Sequence, residues 1–158
     1  MLGKLAGELR QSKPFSSPEE EALLNLSRTH EVIQQRVAGF FKQFQLTATQ
    51  YNILRILRGA GKDGISCSHA AERTVTADPD ITRLLDRLEA RKLIARERSR
   101  EDRRVVISRI TTEGLSLLKT IDKPLADFTK ALAGHLGSAR LQQLIEILES
   151  LRQPEASV

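Results

Sequence analysis

Leu23, Leu26, His30, Ile33, Val37, Phe40 and Phe44 recur along the chain at alternating steps of three and four. That heptad-like spacing lays one apolar stripe along a helix and suits side-by-side packing on a second helix. Upstream, Ser17-Pro18-Glu19-Glu20 has the form of a capping box with proline in the first helical position, so the helix is expected from there to about Phe44. A second start signal lies in Leu46-Thr47-Ala48-Thr49-Gln50-Tyr51, where Thr47 and Gln50 form a capping box and Leu46 can staple onto Tyr51. Ile53, Leu54, Ile56 and Leu57 are its expected buried side, and Gly59 and Gly61 its expected end.

Two shorter helices follow. Ser66 caps one that runs to about Arg73, with Ala70 and Ala71 as small packing residues. Asp78-Pro79-Asp80 opens the next, whose apolar side is Ile81, Leu84, Leu85 and Leu88 and whose opposite side carries Thr82, Arg83, Asp86 and Arg87. Two short helices joined by a tight turn, the second amphipathic, read as a helix-turn-helix. Residues 93–98 and 104–110 alternate as strands around a turn at Ser99-Arg100-Glu101-Asp102-Arg103, and a hairpin in that position is a wing. Thr111 caps a further helix with Leu118, Ile121, Leu125, Phe128 and Leu132 on one face. Pro124 is expected to interrupt and kink it, Gly134 and Gly137 to close it, and Ser138 to begin a last helix bearing Leu141, Leu144, Ile145, Leu148 and Leu151.

The fold class is therefore mainly α with a small β-hairpin wing: a winged helix-turn-helix with long N- and C-terminal dimerisation helices. Residues 1–45 form the N-terminal dimerisation region, 46–111 the winged helix-turn-helix and 112–158 the C-terminal dimerisation helices. The terminal helices carry more apolar stripe than a small winged domain needs, and a second copy of the chain is the expected cover.

Charge sharpens this picture. The net charge is +5, and residues 91–109 alone hold eight basic groups and three acids. The remaining residues thus sum to zero, and so local a field suits a polyanion. Aromatic content is 4%, with one tyrosine and no tryptophan, which leaves few platforms for stacking single-stranded bases. The single cysteine, Cys67, excludes an internal disulfide and fits a reducing cytoplasm. No window reaches the roughly 20 apolar residues of a membrane span. Leu2, Leu5 and Leu9 are too interrupted for a secretory signal. There is no phosphate-cradling glycine loop, nucleophile elbow or catalytic triad, so neither an enzyme nor a cofactor is expected. Cys67 and His69 supply two ligands where a zinc site wants at least three.

Asp102-Arg103-Arg104 followed by Ile110-Thr111-Thr112-Glu113-Gly114 resembles the wing signature of the MarR family of bacterial transcriptional regulators, with Ile110 in place of leucine. Leu46-Thr47-x-x-Gln50 and Ile81-Thr82-Arg83-Leu84-Leu85-Asp86-Arg87-Leu88-Glu89 also look like that family's second helix and recognition helix. The resemblance spans roughly residues 17–152. It implies a homodimer that represses transcription from a palindromic double-stranded DNA operator and releases it on binding a small, often aromatic and lipophilic, effector. There are two departures from the family. Lys92 stands where the family usually has glycine, so either Lys92 takes a left-handed backbone or the helix ends differently. Ala77 stands where a Ser or Thr cap is common, which leaves the capping role to Asp78 or Thr76.

By resemblance, Asp102 and Arg104 set up the wing. One of Arg103 and Arg104 projects into the minor groove, with Arg103 assigned as the inserted side chain and the reverse assignment left open. Arg100 completes the basic tip. Thr76, Asp80, Thr82 and Arg83 are the candidates for reading the major groove, Arg87 for a phosphate, and Ser66, Ser68 and His69 for backbone contacts. His30, Phe40, Phe44 and Tyr51 are the effector candidates. Two other functions stay open on sequence: a winged-helix protein-interaction module gripping an acidic partner, and an oxidation sensor using Cys67.

Overall fold

The computed structural model describes residues 4–74 and 80–153. The elements in chain order are α1 (Lys4–Glu8), α2 (Pro18–Lys42), α3 (Ala48–Ala60), β1 (Ile65–Ser66), α4 (Cys67–Glu72), α5 (Ile81–Ala90), β2 (Ile94–Arg98), β3 (Val106–Ile110), α6 (Thr112–Ala133), a single 3₁₀ turn (Gly134–Leu136) and α7 (Gly137–Leu151). The chain divides into two compact units, residues 1–48 and 49–158.

In the first unit, Ser17 caps α2 as its sequence predicts, its hydroxyl accepting from the Glu20 amide at 3.2 Å. Arg28 pairs with Glu8 of α1 at 3.5 Å, an element the apolar pattern did not predict. The helix ends at Lys42, two residues short of Phe44. Leu23, Leu26 and Ile33 of the apolar stripe are exposed within one chain, Val37 is half-buried and Phe40 is buried.

In the second unit the three strands form an antiparallel sheet of order β1-β3-β2, with Arg96 opposite Ser108 and Ile65 also opposite Ser108. Ile53, Leu54, Leu57, Leu85, Leu88, Ile94, Leu118 and Ile121 are its most deeply buried large apolar side chains. Burying each contributes about 1.5–3 kcal/mol relative to exposure. Gly64 (φ +72°) is required where β1 meets β3, because a Cβ there would lie 2.7 Å from the Ser108 carbonyl oxygen.

Several expected boundaries are corrected. Helix α3 runs through Gly59 to Ala60 and stops at left-handed Gly61, and Ile56 is half-buried rather than buried. The returning wing strand starts at Val106, not residue 104, because Arg104 is held in the turn. Helix α6 continues through Pro124 without interruption. Helix α7 begins at Gly137 rather than Ser138. Strand β1 was not predicted; two residues carry no periodicity, and pairing with β3 creates it. Among the described residues, no helix is long and apolar enough to cross a membrane.

Candidate nucleic-acid interface

The wing tip is a loop built on short polar contacts. Ser99 Oγ accepts from the amides of Glu101 and Asp102 at 3.2 and 3.4 Å. Asp102 Oδ1 accepts from the Arg104 amide at 2.9 Å, and the Asp102 carbonyl from the Val105 amide at 2.9 Å. An aspartate bonded to the backbone two residues on is an Asx turn, which fixes the loop without using a guanidinium. Arg98 Nη1 donates to the Arg103 carbonyl at 3.3 Å and closes the loop from the strand side.

Five of the basic residues of this stretch separate into two groups. Arg96 and Arg109 are engaged: Arg96 with Asp86 and Glu89, and Arg109 with Glu97 at 2.5 Å and the Lys62 carbonyl at 2.7 Å. Arg100, Arg103 and Arg104 are exposed and have no ion-pair partner among the described residues. Asp102 thus shapes the loop through main-chain amides and leaves the tip cations available to an external anion.

On α5, Thr82, Arg83 and Arg87 are exposed on the face opposite Leu84, Leu85 and Leu88. Asp80 immediately precedes the helix and pairs with Arg83 at 3.2 Å across one turn. Thr76 and the candidate cap Asp78 lie outside the described residues. Ser66 caps α4 by accepting from the His69 amide at 3.3 Å, and its hydroxyl lies 3.1 Å from that of Ser68. Ser66, Ser68, His69, Arg73 and Asp102 all border one open groove of about 730 Å³ between α4 and the wing loop. Cys67 begins α4 and is half-buried.

The effector candidates fall in both units. In the first unit Phe40 lies 5.4 Å from Phe44 between ring centroids, and edge-on to buried Phe41 at 5.1 Å. Phe41 escaped the stripe because it falls one position off the heptad. His30 is exposed and sits ten residues before Phe40 on α2, about 15 Å at 1.5 Å per residue, so it does not join that cluster. In the second unit Tyr51 is buried, with the Arg55 guanidinium 5.9 Å above its ring. Burial pushes the Tyr51 phenol above its ordinary value, against the pull of Arg55.

The roles of Arg96, Arg109 and Ser99 are not legible in the sequence. Their charge and polarity were visible, but their partners lie on other elements or depend on the loop's fold.

Comparison with known proteins fits this geometry. Residues 44–105 match the MarR family model. The chain is 41% identical to the MarR transcription factor from Planctomyces limnophilus, covering 85% of this chain and 98% of that one with a TM-score of 0.68. The chain belongs to the MarR family. This MarR-family protein is also similar to the transcriptional repressor CouR bound to a 23-mer DNA duplex, at 26% identity, 82% and 91% coverage and a TM-score of 0.72. It likewise resembles Bordetella bronchiseptica BpsR, whose DNA binding is regulated by 6-hydroxynicotinic acid, at 25% identity, 82% and 99% coverage and a TM-score of 0.68. It is a DNA-binding transcriptional regulator of the winged helix-turn-helix type.

Proposed function

We propose that two copies of this chain form a repressor that straddles a palindromic operator. In each copy α5 enters the major groove and the wing tip the adjacent minor groove, and a small aromatic or lipophilic effector releases the DNA. The observation that carries the reading is the wing tip: three arginines without ion-pair partners among the described residues, on a loop fixed by Ser99 and Asp102. A stiff cationic tip suits a narrow groove, where A·T-rich sequence concentrates negative potential. Arg83 and Thr82, exposed on α5, are the base-reading candidates, and Arg87, Ser66, Ser68 and His69 suit phosphates.

Dimerisation is supported by exposed apolar side chains at both ends of the chain: Leu23, Leu26 and Ile33 on α2, and Leu144, Ile145 and Leu151 on α7. The effector reading rests on the Phe40–Phe44 ring pair of the first unit as an apolar wall and on what regulates BpsR.

Selection of duplexes from a random-sequence pool tests the proposal. A two-fold symmetric motif is expected, with half-site centres about 10 base pairs apart. Binding should weaken steeply with salt; six wing-tip arginines per dimer alone give a log–log slope of about −5. A monomer in solution, or no duplex bound at low ionic strength, refutes it.

A further inference from the structure

Arg96 sits mid-way along β2, the strand that leads from α5 to the wing tip. Unlike the tip arginines, its side chain is only 21% exposed. It turns back onto α5, where Nε and Nη2 donate to Glu89 Oε2 at 2.9 and 2.6 Å and Nη2 also reaches Asp86 Oδ1 at 2.5 Å. Asp86 and Glu89 are three apart on one helix and so share a face, which lets one planar guanidinium span both. Both carboxylates hold the Arg96 charge in place, the Glu89 hydrogen bond most strongly.

We propose that Arg96 is a positioning residue for DNA recognition: its double tie to Asp86 and Glu89 sets the angle between α5 and the wing. This inference rests on the two-groove reading above. The hairpin is a lever, because β2 is an edge strand and β1 supports β3 over only two residue pairs. From Arg96 to the tip is a run of several residues at about 3.3 Å each, so a small rotation at the base becomes a large displacement of Arg103. Recognition constellations must be held within about 0.5 Å, and sequence-tolerant binding needs no such precision. The tie therefore matters to specific recognition and little to non-specific attraction.

Neutralising two carboxylates near DNA is a separate contribution that the test must distinguish. Affinity is measured on a duplex enriched by the wild type from a random pool and on a scrambled duplex of the same composition, alongside thermal unfolding. Arg96→Met is expected to lose about tenfold on the enriched duplex and under about twofold on the scrambled one. Arg96→Lys, which keeps the charge but loses the fork, should fall between wild type and Arg96→Met on the enriched duplex. The triple variant Arg96→Met/Asp86→Asn/Glu89→Gln removes the excess negative charge without restoring the tie, and should remain weak on the enriched duplex. Equal losses on both duplexes, unchanged binding by Arg96→Met, or full recovery in the triple variant overturns the inference. A wild type that enriches no duplex overturns the two-groove reading itself, and the inference with it.

Discussion

The Thr111 hydroxyl donates to the Lys92 carbonyl at 2.7 Å while accepting from the Gly114 amide at 3.1 Å. The cap of α6 thus also grips the end of α5, and the Thr111 amide adds a bond to the Leu93 carbonyl at 3.1 Å. The helix that presents Arg83 and the helix that follows the wing are fastened through one residue.

At that junction Lys92 has φ +58°. Its amide donates to Glu89 and that of Leu93 to Leu88, the paired bonds of a Schellman ending, which favours glycine at the left-handed position. Of the two possibilities open on sequence, Lys92 takes the left-handed one. Lys92→Gly removes a penalty of about 1–2 kcal/mol but loosens the unfolded chain by about 0.4–1 kcal/mol. The net is a gain of between zero and about 1.5 kcal/mol, raising Tm by up to roughly 6 °C. A lowered Tm in calorimetry contradicts the strain at this residue.

Gly114 faces the same junction from α6. A Cβ there would lie 2.3 Å from the Leu93 carbonyl oxygen and 2.7 Å from Ile110 Cγ1. Backbone cannot yield as a side-chain tip can, so Gly114→Ala is expected to cost at least about 1–3 kcal/mol. Denaturant unfolding should show a clear fall in midpoint, and an unchanged midpoint would mean that the close approach is absent.

Tyr51 is the only tyrosine and there is no tryptophan, so tyrosinate absorbance reports one group. Burial first, then Asp122, raises its pKa, and Arg55 and Arg58 oppose the shift. A raised folded value means the native state holds its proton longer than the unfolded state. The resulting stability is full below the unfolded value near 10 and is lost as pH rises through the folded value. Alkaline titration of native protein should therefore lie above that of urea-unfolded protein, and Arg55→Gln should move it higher still. A native curve at or below the unfolded one refutes the assigned environment.

Leu144, Ile145 and Leu151 are 42%, 47% and 59% exposed on α7. Full burial of such a side chain contributes about 1.5–3 kcal/mol, and since each is already about half covered, a partner copy would recover roughly 1 kcal/mol apiece. Leu144→Glu/Leu151→Glu is expected to give monomers with unchanged helical circular dichroism, since these side chains contribute little to the fold of one chain. Light scattering that still reports a dimer removes α7 from the interface.

How far the sequence could be read depended on how local each contact is. Ser17, Ser66 and Thr111 were all identified as caps, and each accepts the amide three residues on. The apolar side of α5 was legible because Leu84, Leu85 and Leu88 follow the helical period. Strand β1, the Arg96 clamp and the Arg109–Glu97 pair were not, since each joins segments whose meeting only the tertiary fold determines. The wing turn fell between these cases. Asp102 was identified as its organiser, but bonding to the Arg104 amide kept that residue out of the strand.

Arg103 and Arg83 should fail differently. Arg103 lies on the fixed tip loop with no ion-pair partner among the described residues, a placement that suits the supply of charge rather than base identity. Arg103→Ala is expected to weaken operator binding with the dimer intact and to make the salt slope shallower by about 2 per dimer. Arg83 starts from an ion pair with Asp80 that a guanine edge can replace. A bidentate guanine contact discriminates by about 1–3 kcal/mol, so Arg83→Ala should change which duplexes are enriched from a random pool, not only how tightly they bind. Unaltered operator affinity in Arg103→Ala removes the wing from the interface. A uniform loss across all sequences in Arg83→Ala reduces that residue to a phosphate contact and moves base reading to Thr82 or to residues nearer the start of α5.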